Sequence, residues 1–344
     1  MVTFQPTDPH RQRGAAVIAA LIIVAIVAAL CSSLFLRQTA TVRQVENEEA
    51  RVQARWLLTG GIDWARLILR EHSSRESSTQ GDQIWAVPVQ DTRITQPGDD
   101  RVALFSGMLE DEQGKFNLYN LASNGVIAAD QLALLQRLMA NLNLPASLAQ
   151  QMAALIAQSQ PRGVLESAGT PAAAGVTGSV ASTPDQTNAA AGLAGASAQA
   201  NTAASPAAAP MPRNIDDVAG FLGADEATRL VLARAMTVLP VNTVINVNTA
   251  PPEVIAALVP GLSLAQASNL TGDRDRGHWF VDTGDFANRI ASLVPEVPAP
   301  QVTVTSAWFM ATGTVAYERA RLTLRALLSS VGGGTSLLWT QEIS

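Results

Sequence analysis

Carboxylates offer the first chance of chemistry in this chain. Glu110, Asp111 and Glu112 stand together before Gln113 and Gly114. Hard oxygen ligands beside a turn suit calcium, although the spacing is not that of an EF-hand loop. The plainer expectation is a solvated hairpin tip. Nothing else favours catalysis. The three histidines, His10, His72 and His278, are scattered over 344 residues without the flanking motif of a nucleophile triad. There is no phosphate-binding glycine loop, no His-Glu-x-x-His and no Cys/His metal spacing. The single cysteine, Cys31, allows no internal disulfide. A net charge of −6 weighs against a nucleic-acid surface, where a basic face is expected. The expectation is a non-enzyme with no catalytic residue and no metal ligand set.

The elements that carry these residues begin with one long helix. Arg11 and Arg13 precede Gly14, and Ala15 to Leu36 then run for 22 residues without charge, glycine or proline. A membrane span needs about 20 such residues. A secretory signal has a shorter apolar core and a small-residue cleavage site. A lipoprotein signal would want a small residue where Leu30 stands before Cys31. A plain single-span anchor is the simplest reading. Four arginines (Arg37, Arg43, Arg51, Arg55) follow the span, against Arg11 and Arg13 before it, so charge alone does not orient it. The helical pattern continues to about residue 72. Val42, Val45, Val52, Trp56, Ile62, Ala65 and Leu69 recur near three and four residues, predicting a face packed on a sheet.

A polar, serine-rich loop from His72 to Gly81 leads to predicted strands at Ile84–Val89 and Val102–Leu109. The turn at 110–114 follows, and Lys115 to Leu121 leaves it. Asp130 is expected to cap a helix with Leu132, Leu135, Leu138, Met139 and Leu142 apolar, and Ser147 a second with Leu148, Met152, Leu155 and Ile156. Residues 167–212 are alanine, glycine, serine, threonine and proline with one charge, Asp185, and read as a linker too poor in apolar bulk to repay ordering. Asn214 and Asp217 resemble a capping box. Ile215, Val218, Phe221 and Leu222 form the expected buried face, and a further helix is predicted over Asp225–Leu239. Ile245-Asn246-Val247-Asn248-Thr249-Ala250 precedes a helix ending at Leu258, a turn at Pro260–Ser263 and another helix. Asp273-Arg274-Asp275-Arg276 reads as a solvated helix end, and Asp282 and Asp285 as caps before Phe286. Gln301–Val315 and Arg319–Leu328 read as strands, the second alternating cleanly. Gly332–Gly334 reads as flexible, and Leu337–Trp339 as a last strand.

Several of these stretches resemble one family. Basic residues, Gly14 and a retained apolar run are similar to the class III leader of type IV pilins and type II secretion pseudopilins. That resemblance implies cleavage by a prepilin peptidase between Gly14 and Ala15, with Ala15 the new, methylated N-terminus. The fifth mature residue is Ala19, where most pilins have a glutamate; its lack marks the K-type minor pseudopilins. Asp111-x-x-Gly114-Lys115-Phe116-Asn117-Leu118 resembles a stretch of that family where sheet passes into an inserted helical domain. Tyr119 replaces its second asparagine, and Asn120 shares that role; the asparagines are expected to bond local backbone and hold the turn. Asn246-Val247-Asn248-Thr249-Ala250 matches a third family stretch. The acidic stretches that could hold calcium in the family are replaced here by Ile156-Ala157-Gln158-Ser159-Gln160, so no cofactor is expected.

The resemblance implies an α+β fold: a long N-terminal transmembrane helix and a pilin-like antiparallel sheet with a large inserted helical domain. The expected segments are leader 1–14, transmembrane and stalk helix 15–72, strands 73–116, helical domain 117–166, linker 167–212, helical domain 213–298 and strands 299–344. It implies a tip complex with I- and J-type minor pseudopilins, contact with other pseudopilins and the inner-membrane secretion platform, and an inner-membrane anchor with the bulk in the periplasm. The 251–270 segment also resembles a helix-hairpin-helix, which in competence proteins binds DNA phosphates through backbone N–H groups. Here Ser263 replaces the second hairpin glycine, and no lysine follows Lys115. No nucleic-acid partner is expected. A membrane-anchored DNA-binding protein of competence type and a type IV minor pilin stand as alternatives.

Overall fold

The computed structural model describes residues 10–95, 101–162, 206–295 and 300–343. Most of the expected linker, and residues 1–9 of the expected leader, lie outside the described residues. In chain order the first elements are α1 (His10–Arg75), β1 (Val89–Thr95), β2 (Val102–Asp111), β3 (Phe116–Asn117), β4 (Ala122–Ser123) and β5 (Val126–Ile127). Then come α2 (Ala129–Asn141), α3 (Ala146–Gln158), α4 (Ile215–Leu222), α5 (Glu226–Ala235), β6 (Met236–Thr237) and β7 (Ile245–Asn246). The last are α6 (Pro252–Leu258), α7 (Leu264–Asp275), α8 (Thr283–Leu293), β8 (Val302–Thr303), β9 (Trp308–Tyr317), β10 (Ala320–Val331) and β11 (Gly334–Ile343). They form two compact units, Met1–Glu112 with Thr305–Ser344, and Gln113–Val304.

The first unit is a helix on an antiparallel sheet of order β1-β2-β9-β10-β11. α1 is unbroken because its 66 residues contain no proline. Ala50, Ala54, Leu58, Ile62, Ala65 and Leu69 recur every three or four residues and are buried. Val42, Val45, Val52 and Trp56, expected on that face, are exposed instead. The small side chains of Ala50 and Ala54 fix which face approaches the sheet. Apolar character alone could not choose between the two stripes. The expected strand at Ile84–Val89 is also corrected. Ile84–Ala86 form a 3-10 turn that drops Trp85 edge-on against Phe309, with ring centroids 5.2 Å apart. β1 starts only after Pro88, which cannot donate to a ladder.

β2 and β9 are hydrogen-bonded neighbours over Ala103–Asp111, and the Glu112 N–H donates to the Trp308 carbonyl at 2.9 Å. The 113–304 excursion therefore leaves and re-enters between adjacent strands. On β10, Leu322 and Ala326 point into the core, as their alternation predicts. The glycines after it are a tight turn rather than a flexible stretch. Gly332 and Gly333 both have positive φ (63° and 78°), as a two-residue hairpin requires. β11 is correspondingly longer than Leu337–Trp339.

The second unit is helical around one apolar core that includes Leu135, Leu138, Met152, Ile156, Val218, Val254, Ile255, Phe280 and Phe286. Short parallel pairs close it: β3 with β6 and β7 with β8. These pairs bring Phe116 and Val302, read from the sequence as part of the sheet region, into the helical unit. The β3–β6 pair also explains why α5 stops at Ala235 rather than Leu239: Met236 and Thr237 extend to pair with Phe116 and Asn117. Caps behave unevenly. Asn214, Asp225, Ser263 and Asp282 accept from the third backbone N–H of their helices. Asp130 and Ser147 do not cap; Ala128 and Pro145 hold those positions, which puts both residues inside the first turn. Phe221, expected inside, is exposed. The end of the expected linker is docked: the Ala208 and Ala209 N–H groups donate to the Gln158 carbonyl, and Ser159 Oγ donates to the Pro210 carbonyl.

Candidate functional site

α1 carries the processing and anchoring residues. Gly14 and Ala15 lie within it, and their side chains are outside those described. Ala16–Phe35 is long and apolar enough to cross a membrane, and Ala19 within it is exposed. A helix spanning this stretch presents no carboxylate at Ala19 to a neighbouring chain.

Of the remaining sequence-predicted residues, Asp111 lies in the first unit, and Gly114, Asn117, Asn246 and Asn248 converge in the second. Asp111-to-Leu118 and Ile245-to-Ala250 are far apart in the chain, yet Gln113 and Asn246 join them: the Asn246 N–H donates to the Gln113 carbonyl at 2.9 Å. A Cβ on Gly114 would lie 2.6 Å from Thr249 Oγ1 and 2.8 Å from the Thr249 carbonyl carbon. Only glycine permits that approach.

The asparagines act at longer range than expected. Asn117 Oδ1 accepts from the local Tyr119 N–H (3.1 Å) but also from the Leu239 N–H (3.0 Å). Its Nδ2 donates to the Val241 carbonyl (2.8 Å) and to Thr243 Oγ1 (3.0 Å). Asn120 exchanges two bonds with the Thr243 backbone, donating at 2.7 Å and accepting at 3.1 Å. Asn246 Oδ1 accepts from the Asn248 N–H at 3.0 Å, a local turn. Asn248 clips the Phe280 backbone in the same two-way fashion, at 2.9 and 2.8 Å. A primary amide suits this work, because it donates and accepts at once like a peptide group.

One participant was missed in the sequence. Arg274 is buried, not part of a solvated helix end, and its Nη1 donates to the Val247 (2.9 Å) and Ala250 (2.7 Å) carbonyls. Its Nε donates to the exposed carboxylate of Asp275 at 2.8 Å. Its position one α-helix away from a turn rich in backbone carbonyls was the only available signal. Arg276 does pair with Asp273 in the exposed manner expected.

The acids at 110–112 are not a solvated tip. Asp111 and Glu112 are buried, and Asp111 Oδ2 accepts from Ser306 Oγ at 2.5 Å. Thr79 Oγ1 accepts from the Ser306 N–H and meets His72 Nε2 at 3.3 Å. Burial holds the His72 imidazole below its ordinary pKa, and Glu76 partly opposes that. Among the described residues no group of three or more His, Cys, Asp or Glu is placed to hold a metal. The stretch that replaces the acidic calcium loop is also filled by neutral bonds. Gln160 Nε2 donates to the Ala122 carbonyl at 2.8 Å, and Ser159 Oγ to the Leu155 carbonyl at 2.7 Å. These residues do not fit a calcium ion.

Comparison with known proteins bears on the same region. The family model for type II secretion system protein K matches residues 245–305, from β7 through β8. The type II secretion system protein K of Pseudomonas aeruginosa is 26% identical over 290 residues, covering 82% of this chain and 78% of that protein. The crystal structure of the GspK–GspI–GspJ complex from enterotoxigenic Escherichia coli contains a chain of similar fold. Its TM-score is 0.54 at 18% identity, over 88% of this chain and 99% of that one.

Proposed function

From the premise that this chain belongs to the type II secretion system protein K family, we propose that it is a minor pseudopilin at the tip of the periplasmic pseudopilus. In this reading it joins I- and J-type minor pseudopilins, and the complex starts and caps the filament. The single observation that carries the reading is the packed Asn246–Ala250 turn at the head of the family-matched region. α1 anchors the protein in the inner membrane through Ala16–Phe35, and the chain after that span lies in the periplasm. A prepilin peptidase cuts after Gly14, and the mature N-terminus is Ala15.

Ala19 supports the tip position. A glutamate at this depth costs a few kcal/mol unless paired. In a filament it would pair with the free amine of a neighbouring subunit; a subunit with nothing above it has no such amine to meet. The acid and amide clusters serve the fold, and no cofactor is needed.

The DNA-binding alternative gains nothing from α6 and α7. Arg274 is turned inward on backbone carbonyls, and Arg276 is paired with Asp273. Phosphate binding needs cations directed outward. The test of the reading is processing and export together. In a strain lacking the protein, wild type restores secretion and shows Ala15 as its N-terminus. Gly14→Leu leaves the leader uncut and secretion unrestored. Full secretion with an uncut leader, or an N-terminus beyond Leu36, contradicts it.

A further inference from the structure

Charge is distributed unevenly where α1 leaves its apolar stretch. From Ala15 to Val45 the chain has no aspartate or glutamate, and its only charged side chains are Arg37 and Arg43. Both are exposed on the helix. The first acids are Glu46, Glu48 and Glu49. Glu48 faces Arg51 and Glu49 faces Arg101, not the two arginines before them. Among the described residues no carboxylate pairs with Arg37 or Arg43.

We propose that Arg37 and Arg43 bind the phosphates of anionic lipids in the leaflet from which α1 emerges. The apolar window ends at Phe35. At 1.5 Å of rise per residue, Arg37 stands about 3 Å beyond that boundary, Arg43 about 12 Å and Glu46 about 16 Å. The headgroup layer on each side of a bilayer is about 5–8 Å thick. Side chains on a helix lean toward its N-terminus, which is the membrane side for every residue after Phe35. Arg37 therefore holds its guanidinium within the headgroups, and Arg43 reaches back onto their outer surface. The planar fork of guanidinium donors matches a phosphate. Six residues separate the two arginines, which sets them about 120° apart around the helix, so each takes its own headgroup.

The occupant follows from position and charge. Cations lie against the headgroup layer and the first acids beyond it, an order complementary to a negative surface. A surface arginine gains about fivefold in affinity for an anionic leaflet, and the effect fades within about a Debye length. Arg51, about 24 Å beyond Phe35, is outside that range. Binding of this kind gathers anionic lipid around α1 and fixes the depth of its span. The inference requires only that Ala16–Phe35 crosses a bilayer, so it fails or stands separately from the tip-complex reading.

The test uses the chain's single cysteine as a reporter. Cys31 is exposed and lies six residues before Arg37. The full chain, labelled there with bimane, is reconstituted in mixed vesicles of phosphatidylcholine and phosphatidylglycerol. In parallel samples one lipid or the other is brominated on its acyl chains, and quenching reports how often each touches this end of the span. Phosphatidylglycerol should quench beyond its share of the mixture. Arg37→Gln should lower that preference by about two- to fivefold, Arg37→Lys should keep most of it, and Arg37→Gln with Arg43→Gln should remove it. Arg51→Gln should leave it unchanged. So should Arg11→Gln with Arg13→Gln, because those residues lie about 27 Å or more along the helix from Cys31. Sodium chloride should weaken the preference by screening, and inorganic phosphate at equal ionic strength should weaken it no further. Equal quenching by the two lipids with the unsubstituted chain overturns the proposal, independently of any variant. So does a preference that survives the double substitution at Arg37 and Arg43. Loss in the Arg11 and Arg13 variant would assign the selectivity to the other end of the span, and extra loss in phosphate would assign the arginines to a soluble anion; either refutes the proposal.

Discussion

Removing the Arg274 side chain should unfold the second unit far more easily than its place near a charged helix end suggests. Arg274→Ala deletes two bonds from a buried cation to the Val247 and Ala250 carbonyls. Hydrogen bonds to charged groups contribute about 1.5–3 kcal/mol each. The Asp275 contact adds little, because that carboxylate is more than half exposed. Against the loss stands the relief of no longer holding a guanidinium out of water. The net expectation is about 2–4 kcal/mol, or roughly 5–15 °C in unfolding temperature for a unit of this size. Arg274→Lys keeps the charge but cannot span both carbonyls with a planar fork, and should fall between. The exposed Arg276→Ala should stay within about 0.5 kcal/mol of wild type. Urea unfolding of the full chain in micelles, followed by near-ultraviolet circular dichroism, measures all three. If Arg274→Ala is as stable as Arg276→Ala, the turn is not held from α7 and the reasoning fails.

Two further outcomes follow from the first unit. Gly61→Ala places a Cβ 2.6 Å from the Phe105 ring and should destabilise by about 1–3 kcal/mol in thermal unfolding, with Phe105→Leu in the same chain recovering part of the loss. His72 has a folded pKa below its unfolded value, so the folded state resists taking up the proton. Stability from this group is complete above about pH 6.5, the ordinary histidine value, and declines as pH falls from there toward the lowered folded pKa. His72→Gln should flatten that part of the stability–pH curve; an unchanged slope contradicts the assignment.

Much of the architecture could be read from residue patterns, for reasons visible in particular elements. The apolar run after Gly14 and the alternation on β10 are long, and each satisfies one period only. Asn214 and Asp282 could be read as caps because each precedes an apolar face directly. Asp130 and Ser147 do not cap because the chain enters each of those helices two residues earlier, at Ala128 and Pro145. The phase of α1 was misread because its outer half bears two apolar stripes, and alanine rather than valine or tryptophan faces the sheet. The candidate site was legible as motifs but not as a site. Nothing in the spacing of Asn117 announces Leu239 and Val241 as its partners, and nothing local says that Arg274 turns inward. Those contacts span 24 to 124 residues and exist only once the second unit has closed.

The most direct test of the central claim is the mass of the assembled tip. Full-length protein in detergent micelles, alone and mixed with I- and J-type minor pseudopilins of the same secretion system, is measured by multi-angle light scattering. The account predicts a monomer alone and one defined complex holding a single copy of this chain with both partners. Long homopolymers of the chain alone, or no mixed complex at any ratio, would contradict it.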